Sequence, residues 1–192
     1  LDTKKIAAIV VFAALTIALN LSPAKVPAPY AAFLIYQIWE IPIVAAFLLF
    51  GYKVGIAISI INTIVLLVAF PGAIITGPLY NLAAVTSMLF GIFIAHRFLK
   101  SLINKRRDVL TPTILTLFGT VFRVGFMSLI NYTFLPFPPP IGFGMPTEAV
   151  VASLPVIGFF NATLALYTIP IGYLLDRIIR LRMKGAIESF QQ

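Results

Sequence analysis

Long apolar stretches alternate with short clusters of Pro, Gly and charge along the whole chain. The stretches run about 17–25 residues, the length at which a helix crosses a hydrocarbon core of about 30 Å. The punctuation divides them into six expected spans. The first covers about Ile6 to Leu21, between Lys4-Lys5 and a Pro-rich stretch from Pro23 to Pro29. The second runs from about Ala31 to Phe50, ending at Gly51-Tyr52-Lys53, and the third from Val54 to Phe70, ending at Pro71-Gly72. The fourth, Leu79 to Leu99, is followed by the basic stretch Lys100 to Asp108. The fifth, about Pro112 to Leu135, opens on Thr111-Pro112, an N-cap and N1 pair. After a loop from Pro136 to Pro146, the sixth lies within Glu148 to Ile179. There Ser153-Leu154-Pro155 is expected to restart the helix, giving a span of 153–179 with Glu148 to Ala152 as an interfacial piece and a kink at Pro170.

Composition agrees with that reading. Of the 192 residues 60% are hydrophobic and 10% charged, against about 45–50% and about 25% in soluble domains. Disorder, which needs low hydrophobicity and high charge, is excluded. The expected fold class is therefore an all-α polytopic membrane protein, a single six-helix domain over residues 1–192, multi-pass in the cell membrane. No internal repeat stands out, which counts against an inverted-repeat carrier.

The net charge of +8 falls on short loops, so its partner is expected to be the bilayer or an acidic protein and not nucleic acid. Lys4, Lys5, Lys53, Arg97, Lys100, Lys105, Arg106, Arg107, Arg177, Arg180, Arg182 and Lys184 share one side of the expected topology, against Lys25 on the other. Both termini are then cytoplasmic. A cleaved signal peptide is the rival reading of the first segment. With no Cys and one His, thiolate and clustered metal sites are not expected, and neither is a resident cofactor. No G-x-x-x-x-G-K-[ST] motif occurs, so ATP-driven work is expected to come from another subunit.

Polar side chains at membrane depth are costly and point to function. In this topology Tyr36, Gln37, Trp39 and Glu40 occupy the outer half of span two. Tyr80 and Asn81 open span four, Asn131 and Tyr132 lie near the outer end of span five, and Asn161 sits about two turns below Pro155. An outward pocket of amides and aromatics for a small, flat or amphipathic solute is one reading. Interhelical amide contacts plus an aromatic belt, for Trp39 and Tyr132 above all, is the other. Asn62, deeper in span three, is expected to pack between helices. Arg123, near the middle of span five, must face protein or a wet cavity, with Glu40 as the natural partner. It either forms a structural ion pair or lines the pocket floor against an anionic or carbonyl group. In span one, Ala14-x-x-x-Ala18 offers a small face for close helix approach, internal or with a partner subunit.

These features together resemble the substrate-binding S component of energy-coupling factor (ECF) vitamin transporters, and within that group the riboflavin-binding type. The pieces are Thr3-Lys4-Lys5 before an Ala-rich helix, and Ile38-Trp39-Glu40-Ile41-Pro42 before Ala45-Ala46-Phe47-Leu48-Leu49-Phe50-Gly51. Leu129-Ile130-Asn131-Tyr132 with Leu135-Pro136, and Gly158-Phe159-Phe160-Asn161, complete them. Where riboflavin-type members often carry Lys before that Gly, this chain has Ile157, and Gly77-x-x-x-Asn81 keeps its motif in part.

The resemblance implies capture of a vitamin from outside, under a lid formed by the loop between spans one and two, Ser22 to Tyr30. It implies docking through span one onto a transmembrane coupling protein with two ATPase subunits, then toppling and release inside. Glu40, Asn131 and Asn161 are the ligand contacts it transfers, and Ala14 and Ala18 the docking residues. Asn81, Trp39, Tyr132 and Arg123 join the ligand set by depth alone. Against an enzyme, no catalytic set assembles: Asp2, Asp108 and Asp176 are scattered among basic residues and His96 stands at a helix end beside Arg97. Another vitamin-like solute, a structural subunit of a membrane complex, and a self-sufficient channel or carrier are the alternatives.

Overall fold

Six helices and one β-hairpin make up the described residues, 3–70, 76–99 and 110–182 of a computed structural model. Helix α1 spans Thr3–Leu21, followed by strands β1 (Val26–Ala28) and β2 (Ala31–Tyr36). Helices α2 (Glu40–Phe50), α3 (Tyr52–Ala69), α4 (Thr76–Phe98), α5 (Leu110–Phe134) and α6 (Thr147–Arg182) complete the chain. Helices α3 to α6 are each long and apolar enough to cross a membrane, whereas α1 and α2 are shorter apolar helices.

Helix α2 occupies the middle of the bundle, packed against α1, α3 and α6 and touching α4. Its sequence explains this, because EIPIVAAFLLF has no polar face, and a helix apolar all round must be surrounded. Ile43, Val44, Ala45 and Ala46 have no exposed surface. They join Ile58, Val85, Met88, Leu89, Ile92, Leu115 and Ile169 in the core. Two glycines set the spacing. A Cβ on Gly172 would lie 2.7 Å from Val44 Cγ1, and one on Gly91 would lie 2.5 Å from the Phe118 carbonyl oxygen, so α6 approaches α2, and α4 approaches α5, closer than Ala would allow.

Polar ties register the helices. Asn20 Nδ2 donates to Asn62 Oδ1 at 3.2 Å between α1 and α3, both residues buried, which is the packing role expected of Asn62. At the end opposite the hairpin, Arg180 Nη2 donates to the Leu48 carbonyl at 2.6 Å while its Nε binds Asp176 Oδ1 at 2.9 Å. A cation thereby meets one of the open carbonyls at the α2 C-terminus.

Two segments differ from the sequence expectation. Residues 31–50 do not form one helix: Ala31–Tyr36 pairs antiparallel with Val26–Ala28, and the helix begins only at Glu40. The pairing runs Val26 with Tyr36, Pro27 with Ile35 and Ala28 with Ala31. At 1.5 Å per residue α2 is about 16 Å long, half a hydrocarbon core. The non-helical stretch above it lines a cavity, a circumstance in which irregular backbone is tolerated. The second difference is α6. It is one helix through both Pro155 and Pro170, with no restart at Ser153. The carbonyls that each proline deprives of a partner belong to Val151 and Leu166, both on exposed positions, so no packed layer is interrupted. The basic stretch Lys100 to Asp108, Lys184, Asp2, Pro71-Gly72 and the Lys4 side chain lie outside the described residues.

Candidate functional site

The hairpin end of the bundle holds a cavity of about 580 Å³, inside the range of small-molecule sites. Its floor is built by three helices. Glu40 opens α2, Arg123 sits midway along α5, and Asn161 lies in the first half of α6. Arg123 Nη2 donates to Glu40 Oε1 at 2.9 Å and Nη1 donates to Glu40 Oε2, a bidentate pair with side chains 3% and 4% exposed. Arg123 Nε donates to Asn161 Oδ1 at 3.0 Å, and Nη1 also reaches Met88 Sδ at 3.6 Å. Every guanidinium nitrogen is thus engaged. The geometry is the planar fork that Arg makes with a carboxylate.

The two asparagines are held by their own helices. Asn161 Nδ2 donates to the Ile157 carbonyl at 2.9 Å, and Asn131 Nδ2 donates to the Met127 carbonyl at 2.6 Å. With Asn161 Oδ1 accepting from Arg123, each end of that amide has one protein partner and keeps one further donor or acceptor site. Asn131 lines the cavity, and only its nitrogen is bonded to its own helix. Gln37 Oε1 and the Tyr80 hydroxyl are buried at the same cavity without a partner among the described residues. Buried polar atoms left so are costly.

The cover over the cavity is the hairpin. Phe33, Leu34 and Ile35 of β2 line it from above, and Phe143 and Met145 from the 135–146 loop, whose Phe143 and Met145 amides both donate to the Leu135 carbonyl at 3.2 Å. The hairpin is latched to α6. Tyr36 hydroxyl pairs with Thr163 Oγ1 at 2.7 Å and its ring lies 5.0 Å from Phe160. Tyr30 bonds Tyr36 and meets Phe159 edge-on, while Tyr167 donates to the Gln37 carbonyl. Desolvation, with the Tyr36 hydrogen bond, raises the Tyr30 phenol above its ordinary pKa.

Of the residues expected at a ligand site, Trp39, Glu40, Asn81, Arg123, Asn131 and Asn161 all line this one cavity. Tyr132 does not. It is half exposed on the outer face of α5, because the next residue along a helix turns about 100° away from Asn131. The apolar wall, including Met127, Phe160 and Leu164, was not legible in advance, since in a membrane segment a cavity-facing Leu reads like a lipid-facing one. Gln37 carried a usable signal: an amide beside Trp39 and Glu40 at the same depth. Ala14 and Ala18 lie on the exposed face of α1 with Ala7, Val10 and Val11, while Ala8, Ala13 and Thr16 face inward. Among the described residues no group of three His, Cys, Asp or Glu could hold a metal.

Four helices long and apolar enough to cross a membrane, with two shorter ones, thus surround a capped, partly polar cavity. Among solved structures, one described as the S component of a bacterial ECF transporter superposes with a TM-score of 0.74. The match covers 94% of this chain and 98% of that chain at 20% identity. No family model and no curated protein matches the sequence. The fold is that of an ECF transporter S component, shared through nearly the whole chain and not through one motif.

Proposed function

We propose that this chain is the substrate-capture subunit of an ECF-type importer, taking a vitamin, riboflavin first among candidates, into the hairpin-covered cavity. In this reading the chain crosses the membrane six times, with both termini and most Lys and Arg on the cytoplasmic side. The observation that carries it is the cavity itself, partly covered by a latched hairpin and floored by a buried Glu40–Arg123–Asn161 network, in a chain with the S-component fold. Glu40, Asn131, Asn161, Asn81, Trp39 and Arg123 are the proposed ligand-contacting set. The exposed Ala14 and Ala18 face of α1 is the proposed docking surface for the coupling protein and, through it, two ATPase subunits. The vitamin would leave unchanged, with ATP hydrolysis supplying the drive.

Purification of the lone chain in detergent, with mass spectrometry of any retained solute and a flavin fluorescence titration, tests this. Stoichiometric riboflavin with quenching supports class and substrate together. A different retained vitamin keeps the capture role and replaces the substrate. No retained solute and no binding across a vitamin panel would favour a structural subunit of a membrane complex.

A further inference from the structure

The chemistry of the cavity narrows the solute further, on the premise that this cavity is the capture site. Glu40 and Arg123 are the only charged side chains among the described residues that line it, and they spend their charges on each other. The guanidinium has no nitrogen left without a protein acceptor, since Asn161 takes Nε. An incoming carboxylate or phosphate would have to compete with Glu40 for the guanidinium, and drawing it away would strand Glu40 in a site where it is 4% exposed. An ammonium group would face the mirror-image problem with Arg123. What the cavity leaves open is neutral: Gln37 Oε1 and Asn131 Oδ1 as acceptors, the Tyr80 hydroxyl, and the Asn81 amide.

We infer that the cavity selects an uncharged solute, one that brings N–H or O–H donors to the Gln37 and Asn131 oxygens. Trp39, Phe33, Phe160 and Met127 supply faces for a flat apolar body. The Glu40–Arg123 pair acts as the specificity element by being closed.

Trp39 permits a test that does not depend on knowing the ligand, because it is the one Trp in the chain and it lines the cavity. Its fluorescence in the ligand-stripped lone chain is quenched with acrylamide, iodide and caesium at constant ionic strength. Acrylamide, which is neutral, is expected to quench about tenfold more effectively than either ion, the factor that 1.4 kcal/mol confers. Glu40→Gln, which frees the Arg123 charge, should raise iodide quenching and leave caesium unchanged. Arg123→Gln should do the reverse, and the double variant should admit neither ion. Ions that quench the native chain as well as acrylamide does, or single variants without this opposite response, would overturn the inference.

Where the single variants do not fold, the net charge of whatever solute co-purifies with the native chain decides. A neutral solute supports the inference and an ionised one overturns it. A retained anionic vitamin would therefore defeat this inference while upholding capture. A chain that retains nothing, yet excludes ions as described, would do the opposite.

Discussion

Replacing Arg123 with Met is the most informative single perturbation of this molecule. The Arg123–Glu40 contact at 2.9 Å between side chains 3% and 4% exposed corresponds to about 6 kcal/mol of attraction at an effective dielectric of about 20. Most of that is offset by the several kcal/mol that each buried ion loses in hydration, so the closed pair is worth little net. Its removal is not cheap, because the carboxylate stays behind. A buried partner left alone costs about 3–5 kcal/mol. Asn161 Oδ1 loses its donor as well.

Taking about 4 kcal/mol, and about 2–4 °C per kcal/mol for a chain of this size, Arg123→Met should melt about 8–16 °C below the native chain. Adding Glu40→Leu to the same variant removes the stranded charge and should recover most of that loss, in a double-mutant cycle with strongly favourable coupling. Thermal unfolding in detergent, followed by static light scattering or intrinsic fluorescence, provides the four melting temperatures. A single variant melting within about 2 °C of native would refute the reasoning, since that is less than 1 kcal/mol. So would a double variant no more stable than the single, because the loss would then come from packing and not from the unpaired carboxylate.

Three further outcomes are expected. Asn131→Ala and Asn161→Ala should weaken binding of the retained solute by about tenfold or less each, the worth of one hydrogen bond, without unfolding the chain; unchanged affinity in both, measured by calorimetric titration, would remove these residues from the site. Leu or Phe at Ala14 and Ala18 should abolish solute uptake by the assembled transporter while leaving binding by the lone chain intact, because that face of α1 is exposed in the lone chain; loss of binding would show internal packing instead. Gly91→Val should cost about 1–3 kcal/mol, since its Cβ would meet the Phe118 backbone 2.5 Å away and only a shift of α5 relieves that. Gly125→Ala, whose Cβ meets nothing within 4 Å, serves as the neutral or mildly stabilising control in the same melting assay.

What could be read from the chain alone was whatever depends on residue type at a given depth. Apolar run length marks where helices α3, α4 and α5 lie, because hydrocarbon thickness sets that length independently of neighbours. An Arg in the middle of a span needs a carboxylate. Glu40 was available at a compatible depth, and the two are paired. Three amides, Trp39, Tyr132 and this Glu were expected at a similar outer depth, with Arg123 deeper; all but Tyr132 line one cavity.

The tertiary structure decided the rest. Ala31–Tyr36 is as apolar as a membrane helix, and only the pairing with Val26–Ala28 and the latch of Tyr36 on Thr163 make it a strand. Asn131 and Tyr132 are neighbours in sequence, yet one faces the cavity and the other the outside, since helix rotation is set by packing that hydropathy does not encode. Whether Arg123 would bind a solute or Glu40 was open for the same reason. Charge and depth bring candidates to one level of a membrane, but which side chains close on each other depends on how α2, α5 and α6 turn toward a common axis.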